Sequence, residues 1–111
     1  MSEEEVVIRK FLREFRLRRY YMGYEYLVYG LLLLVEDPML LTYIVKGLYV
    51  QIADKYGTKV ACVEKNIRCL KRNIWRYNSE HPVFKGCTRC PKNADFMDIL
   101  LYEIEARLRE L

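Results

Sequence analysis

One apolar stripe constrains the fold of this chain more than any other feature of its sequence. From Val60 onward, apolar residues recur at alternating steps of three and four, the period of one buried face of an α-helix. The stripe consists of Val60, Val63, Ile67, Leu70 and Ile74. The opposite side carries Lys65, Arg68, Arg72 and Arg76, with Lys71 beside them. The segment is therefore predicted to be an amphipathic helix with a basic outer face.

A second, shorter amphipathic helix is predicted to end at Gly57, because glycine best accepts the left-handed conformation after a helix. Thr58 is expected to cap the helix that follows. Ala53 lies four residues before Gly57 and Val63 lies six after it, which is the spacing of a helix-turn-helix. The pattern predicts a helix-turn-helix over about residues 49–76. An ordinary helical hairpin with a solvated basic face is the alternative.

The remaining sequence also favours helices. Glycine and proline number five and three among 111 residues, about 7% against the roughly 12% of an average globular chain. Ser2 and Glu5 have the spacing of a capping box at the start of a first helix over about residues 3–16. The scarcity of turn residues argues against a β architecture.

Three further helices complete the predicted fold. Residues 24–35 are apolar on nearly every face, which is typical of a helix at the centre of a bundle. Pro38 suits the first turn of a helix that runs to about Leu48. Asn93 is expected to cap a last helix. The sequence thus predicts an all-α, compact bundle of about six helices, with residues 1–111 forming a single DNA-binding domain.

Positive charge is concentrated around the predicted helix-turn-helix. Residues 46–76 hold eight Lys/Arg against two Asp/Glu, whereas the whole chain has a net charge of only +4. A polyanion is therefore the first partner to expect for this segment. The apolar runs at 26–35 and 38–45 are shorter than the ~18 residues that span a bilayer, and the acidic start does not resemble a secretory signal. We expect a soluble, cytoplasmic protein that does not contact a membrane.

The four cysteines raise the question of a metal site. Cys87 and Cys90 have the spacing of half a zinc site, and His81 is a candidate third ligand. Cys62 and Cys69 lie seven residues apart on one helix, about 10.5 Å along its axis, so they cannot share one ion. We expect reduced thiols, with no metal and no cofactor. A zinc site and an oxidised or redox-active Cys87–Cys90 pair are the alternatives.

No motif predicts an enzyme. The sequence has no phosphate-binding glycine loop and no spacing typical of a Ser-His-Asp triad. His81 is the single histidine, and its place in a loop between Glu80 and Pro82 favours a solvated side chain over a catalytic one.

A longer string of residues is similar to a known family over roughly residues 15–108. The string comprises Gly23-Tyr24-x-Tyr26-Leu27, Asp37, Leu40-Leu41-x-x-Ile44-x-Lys46-x-Leu48-Tyr49-x-x-Ile52-Ala53-x-Lys55-Tyr56-x-Thr58, Val63-Glu64-Lys65-x-Ile67-Arg68, Trp75 and Pro91-x-Asn93-x-x-Phe96. With these residues the chain resembles the C-terminal DNA-binding effector domain of the response regulator that commits endospore-forming bacteria to sporulation.

The resemblance implies an all-α domain whose fourth and fifth helices form the helix-turn-helix, with the fifth in the major groove of a short promoter box. Family members bind in tandem on adjacent boxes, so double-stranded DNA, a second copy of the chain and RNA polymerase are the candidate partners. They usually follow a receiver domain with a phosphorylated aspartate. These 111 residues hold no receiver, and the Met-Ser-Glu start favours a stand-alone effector over a fragment.

Eight residues are predicted to form the DNA-binding site. They are Lys55, Thr58, Lys59, Cys62, Glu64, Lys65, Arg68 and Arg72. By the resemblance, Glu64, Lys65 and Arg68 face base edges. The two other lysines, with Thr58 and Arg72, hold phosphates and set the register on the duplex.

Three of the family's recognition positions differ in this chain. Ala61 and Cys62 stand where the family typically has a Ser-Arg pair, and Cys69 stands where it has a histidine. Losing a base-reading arginine changes sequence preference while the DNA-binding fold is kept. We therefore expect a transcription regulator that binds double-stranded DNA sequence-specifically. The alternative is a degenerate effector domain that acts through protein–protein contacts or modulates a related regulator.

Overall fold

A computed structural model describes residues 1–17 and 21–111 of the chain. These residues contain five α-helices and no β-strand. The helices are α1 (Glu3–Leu12), α2 (Met22–Glu36), α3 (Val50–Tyr56), α4 (Val60–Asn78) and α5 (Asn93–Arg109). The predicted all-α fold is confirmed, and five α-helices with three shorter helical turns agree with the predicted count of about six. None of the helices in the described ranges combines the length and apolarity that crossing a membrane requires.

The apolar helix α2 packs against every other α-helix of the described chain, and most extensively against α4. Its side chains Leu27, Leu31 and Leu34 are fully buried. Burying apolar side chains on several faces of one helix is the arrangement that its sequence predicts. Both helices of the helix-turn-helix, α3 and α4, therefore pack against α2.

At one point α2 and α4 meet backbone to backbone. A Cβ placed on Gly23 would lie 2.3 Å from the carbonyl oxygen of Asn66 and 2.8 Å from its carbonyl carbon. No side chain fits in that space, so only glycine allows the two helices to approach this closely. The missing side chain at Gly23 thus determines how closely α4 packs against α2.

The first helix begins as predicted but ends early. The Ser2 hydroxyl accepts a hydrogen bond from the Glu5 amide at 3.1 Å. The helix ends at Leu12 rather than at residue 16, because the amide of Phe15 bonds to the carbonyl of Leu12, three residues back, at 3.2 Å. This tighter turn places the Phe15 ring in the core.

The prediction of a single helix between Pro38 and Leu48 is wrong, because two shorter turns occupy this range. Pro38 begins a short 3₁₀ turn, Pro38–Leu41, whose start is capped by the Asp37 carboxylate at 3.2 Å from the Met39 amide. A π-helical turn, Ile44–Tyr49, follows and continues directly into α3. Leu48 and Tyr49, at the end of this turn, are both buried.

An aromatic cluster joins α4 and α5 to the segment that follows α1. Phe84 lies in the 3₁₀ turn Pro82–Phe84 between α4 and α5 and is 2% exposed. Its ring centroid lies 5.8 Å from that of Phe15, 5.5 Å from that of Trp75 and 6.4 Å from that of Phe96. One buried ring therefore connects α4, α5 and the segment that follows α1.

An ionic cluster stands beside these rings and corrects the expectation for His81. Arg107 donates to the Glu14 carboxylate at 2.7 Å, and the His81 Nε2 lies 2.9 Å from it. Since the His81 Nδ1 accepts from the Val83 amide at 3.0 Å, its proton sits on Nε2. Arg107 and then His81 hold the pKa of Glu14 below its ordinary value. His81 is thus a packed, hydrogen-bonded side chain and not a solvated one.

Candidate DNA-binding surface

The turn between α3 and α4 has the geometry that the sequence predicts. Gly57 adopts the left-handed conformation, with φ 61° and ψ 40°. Its amide and that of Thr58 both bond to the carbonyl of Ala53, the latter at 3.0 Å. This is the pattern that closes a helix at a left-handed residue. Ala53 and Val63 are both buried, so the small residue and the apolar stripe pack the two helices together.

The predicted cap of α4 is wrong. α4 begins at Val60, so the capping position falls on Lys59, and no side chain accepts a hydrogen bond there. Thr58 lies one residue too early to cap the helix. It is half-buried and lies near the hydroxyl of Tyr26.

The outer side of α4 presents a line of five exposed residues, which we call the outer line. It consists of Ala61, Lys65, Cys69, Arg72 and Arg76. Their spacing of three or four residues places them on one helical face. None of the three cations forms an ion pair with a residue in the described ranges. The outer line is therefore a row of uncompensated positive charge.

Two pairs of side chains flank the outer line. On one flank the Asn66 amide donates to the carbonyl oxygen of Cys62 at 2.8 Å and to its sulfur at 3.3 Å. On the other flank, Arg68 forms an ion pair through both carboxylate oxygens of Glu64, one turn earlier. Two residues predicted to face bases are thus paired with each other in the free protein.

Lys71 does not belong to the basic face on which the sequence placed it. It is only 7% exposed and is the one charged residue among the buried residues of the described chain. Burial lowers the pKa of Lys71 below its ordinary value. The basic face is consequently narrower than the sequence suggests.

Asn93 does not cap α5, as the sequence suggested. The capping position is Lys92, and the Asn93 amide instead donates to the Tyr49 hydroxyl at 3.1 Å and the Glu64 carbonyl at 3.4 Å. Asn93 therefore ties the start of α5 to the middle of the predicted site. Its partners lie 44 and 29 residues away in the chain, so no local pattern could have revealed this role.

The remaining predicted site residues occupy different surroundings. Lys55 is exposed on α3, with its ammonium 5.6 Å from the centre of the Tyr29 ring of α2, a cation–π contact. Lys59 is exposed immediately before α4. The structure brings Cys62, Glu64, Lys65, Arg68 and Arg72 together along one helix, with Lys59 at its start.

The cysteines are free thiols. Within residues 1–17 and 21–111, no group of three or more His, Cys, Asp and Glu side chains is arranged to hold a metal ion. Both ring nitrogens of His81, the third ligand of the zinc alternative, are engaged by Glu14 and Val83.

A short helix, a left-handed glycine and a longer helix with an exposed cationic face define a protein of the helix-turn-helix class. Residues 8–104 match the family described as sporulation initiation factor Spo0A C terminal. Because the match covers nearly the whole chain, the chain belongs to this family of DNA-binding effector domains. The family consists of transcription factor domains and not of enzymes. No match is found among curated protein sequences.

Proposed function

We propose that this protein binds double-stranded DNA sequence-specifically through α4 and acts as a transcription regulator in the cytoplasm. The observation that carries the proposal is the outer line, in which Lys65, Arg72 and Arg76 are exposed and form no ion pair with a described residue. From Lys65 to Arg76 the line extends about 16 Å along the helix. An α-helix fits into the major groove of DNA, which is about 12 Å across.

The roles of the residues follow from their place along α4. Side chains in the early part of a recognition helix usually meet base edges, so we assign this role to Cys62, Lys65 and Arg68, with Glu64 beside them. We assign phosphate contacts to Lys59, at the start of the helix, and to Arg72, at its exposed middle. Thr58 and Lys55, on the turn and on α3, would extend the phosphate contacts. Random-sequence binding selection with the whole chain would supply the duplex for the experiments below.

Arg72→Ala is expected to weaken binding to the selected duplex and to random duplex alike. Loss of one phosphate contact should reduce the slope of log K against log salt by about one. Fluorescence anisotropy over a salt series measures both quantities. Arg109→Ala removes an exposed arginine from the end of α5 and should leave affinity and slope unchanged. An unchanged slope for Arg72→Ala would exclude Arg72 from the interface.

Arg68→Ala is expected to relax base preference at one position of the selected duplex. An arginine that reads a base contributes about 1–3 kcal/mol of discrimination at its position. Affinities for single-base variants of the duplex, compared between the two proteins, would reveal which position loses its preference. Equal loss on every variant would contradict a base-reading role.

Cys62→Arg is expected to restore preference for the family's promoter box. A thiol is too short and too weak a donor to replace a guanidinium group. The ratio of family-box affinity to random-duplex affinity should rise ~5-fold or more, equivalent to about 1 kcal/mol.

The comparison needs one fixed salt concentration and a control for added charge. Ala61→Arg places the same charge on the neighbouring exposed position and should tighten both duplexes alike. If Cys62→Arg behaves like Ala61→Arg, position 62 does not read bases.

A protein–protein module is the second candidate function. Its support is a group of exposed apolar side chains around the π-helical turn, Met39, Tyr43 and Val45, each more than half exposed. Apolar residues in such positions favour contact with a protein partner. A gel shift across salt concentrations separates the two functions, because a module without DNA affinity gives no shift even at low salt.

A further inference from the structure

The side-chain amide of Asn93 joins three elements of the fold. It donates to the Tyr49 hydroxyl at 3.1 Å and to the backbone carbonyl of Glu64 at 3.4 Å. Asn93 is the first residue of α5, Tyr49 is the last residue of the π-helical turn before α3, and Glu64 lies in the second turn of α4. The start of α5 is thus hydrogen-bonded both to the residue that precedes α3 and to the early part of α4.

These contacts lie in the interior of the protein. Tyr49 is only 2% exposed, and the side-chain oxygen of Asn93 is buried. Burial raises the pKa of the Tyr49 hydroxyl above its ordinary value, so this hydroxyl is neutral at physiological pH when it accepts the bond from Asn93. Because Tyr49 is almost fully excluded from solvent, water does not compete with this bond.

A second contact holds the same part of α4 from its other side. A Cβ on Gly23 would lie 2.3 Å from the carbonyl oxygen of Asn66, so the backbone of α2 lies directly against α4 there. With 3.6 residues per turn, residues 64 and 66 face nearly opposite sides of the helix, and Lys65 faces outward between them. Asn93 and α2 therefore contact α4 on opposite flanks, and the exposed outer line lies between these contacts.

We propose that Asn93 is a positioning residue for base reading, with Tyr49 as its fixed partner. Through the Glu64 carbonyl, Asn93 determines how far the early part of α4 extends from the protein, and so where Lys65 and Arg68 stand relative to the bases. A direct hydrogen bond to a base needs a donor–acceptor distance of about 2.7–3.2 Å. Phosphate contacts made by long, flexible side chains tolerate a small displacement of the helix. The inference rests on the proposed function, because it concerns the same DNA-binding surface.

The first test measures the ratio of affinity for the selected duplex to affinity for random duplex, by fluorescence anisotropy at one salt concentration. Asn93→Ala should lower this ratio about fivefold, while affinity for random duplex stays within about twofold because the phosphate contacts remain. Tyr49→Phe removes only the hydroxyl, keeps the buried ring and should lower the ratio about twofold. Asn73→Ala is the matched control, because Asn73 is also half-buried with a buried side-chain oxygen, and it should leave the ratio unchanged.

Hydrogen exchange of the free chain, followed by NMR, tests the contact without DNA. Within α4 the Arg68 amide bonds to the Glu64 carbonyl, whereas the Arg76 amide bonds to a carbonyl two turns further along. In Asn93→Ala the Arg68 amide should exchange about fivefold faster relative to the Arg76 amide, because the Glu64 carbonyl is no longer held by α5. Equal acceleration at both amides would show a general loss of stability and would overturn the positioning role.

Failure of this inference and failure of the proposed function give different results. An unmodified chain that prefers no duplex contradicts sequence-specific binding and, with it, the role of Asn93. If the unmodified chain prefers the selected duplex and Asn93→Ala keeps the same ratio, only the role of Asn93 is contradicted. An equal fall of the ratio in Asn73→Ala also overturns that role, because the loss would then not depend on the contact with Glu64.

Discussion

Gly23→Ala is expected to lower the free energy of unfolding by about 3 kcal/mol, since overpacking a closed contact costs this much when the backbone must move. The new methyl group would stand 2.3 Å from the Asn66 carbonyl oxygen, and a helix carbonyl cannot turn aside as a flexible side chain can. α2 and α4 must therefore separate. Urea unfolding followed by circular dichroism measures the loss.

Gly47→Ala is the matched control for this change. There a new Cβ would meet the side chain of Leu40 at 3.2 Å, and that side chain is free to adjust. Its effect should stay within about 1 kcal/mol. If the two variants prove equally stable, α2 and α4 are not in backbone contact at Gly23.

Phe84→Ala should cost about 4 kcal/mol of unfolding free energy, the usual range for removing a buried phenylalanine ring. The lost ring contacts Phe15, Trp75 and Phe96, so the cavity would open where α4, α5 and the segment after α1 meet. Because Trp75 is the chain's single tryptophan, its fluorescence reports on this site during urea unfolding.

Phe84→Leu keeps an apolar side chain in the same place and should cost less than about 1.5 kcal/mol. Equal losses for alanine and leucine would contradict this account, because an apolar side chain in the cavity would then recover no stability.

The features that could be predicted from the sequence depend on neighbours in the chain. The apolar stripe of α4 requires only a period of three and four, and the turn at Gly57 requires only a residue that accepts positive φ. The caps at Thr58 and Asn93 were wrong for opposite reasons. Thr58 lies one residue before the capping position of α4. The side-chain amide of Asn93, in contrast, donates to Tyr49 and Glu64, which are distant in the sequence.

The features that escaped prediction depend on packing between distant segments. Periodicity places Lys71 beside the basic face, but tertiary packing buries it. The resemblance includes Gly23, yet nothing local to that residue shows that a carbonyl of α4 fills the space of its missing side chain. For the proposed site, the sequence indicates which residues share the outer side of α4 but not that Glu64 and Arg68 are paired.

Because Arg68 is paired with Glu64, a DNA base must compete with Glu64 for the Arg68 side chain. In the free protein the Arg68 Nη1 donates to both oxygens of the Glu64 carboxylate, and a guanine that binds this nitrogen must displace the carboxylate. On the proposed interface Arg68 binds a base only where that contact is more favourable than its ion pair with Glu64. At a less favourable base, Arg68 stays paired with Glu64. On the proposed interface Glu64 thus competes with the base for Arg68, so a base that binds Arg68 only weakly does not displace the carboxylate.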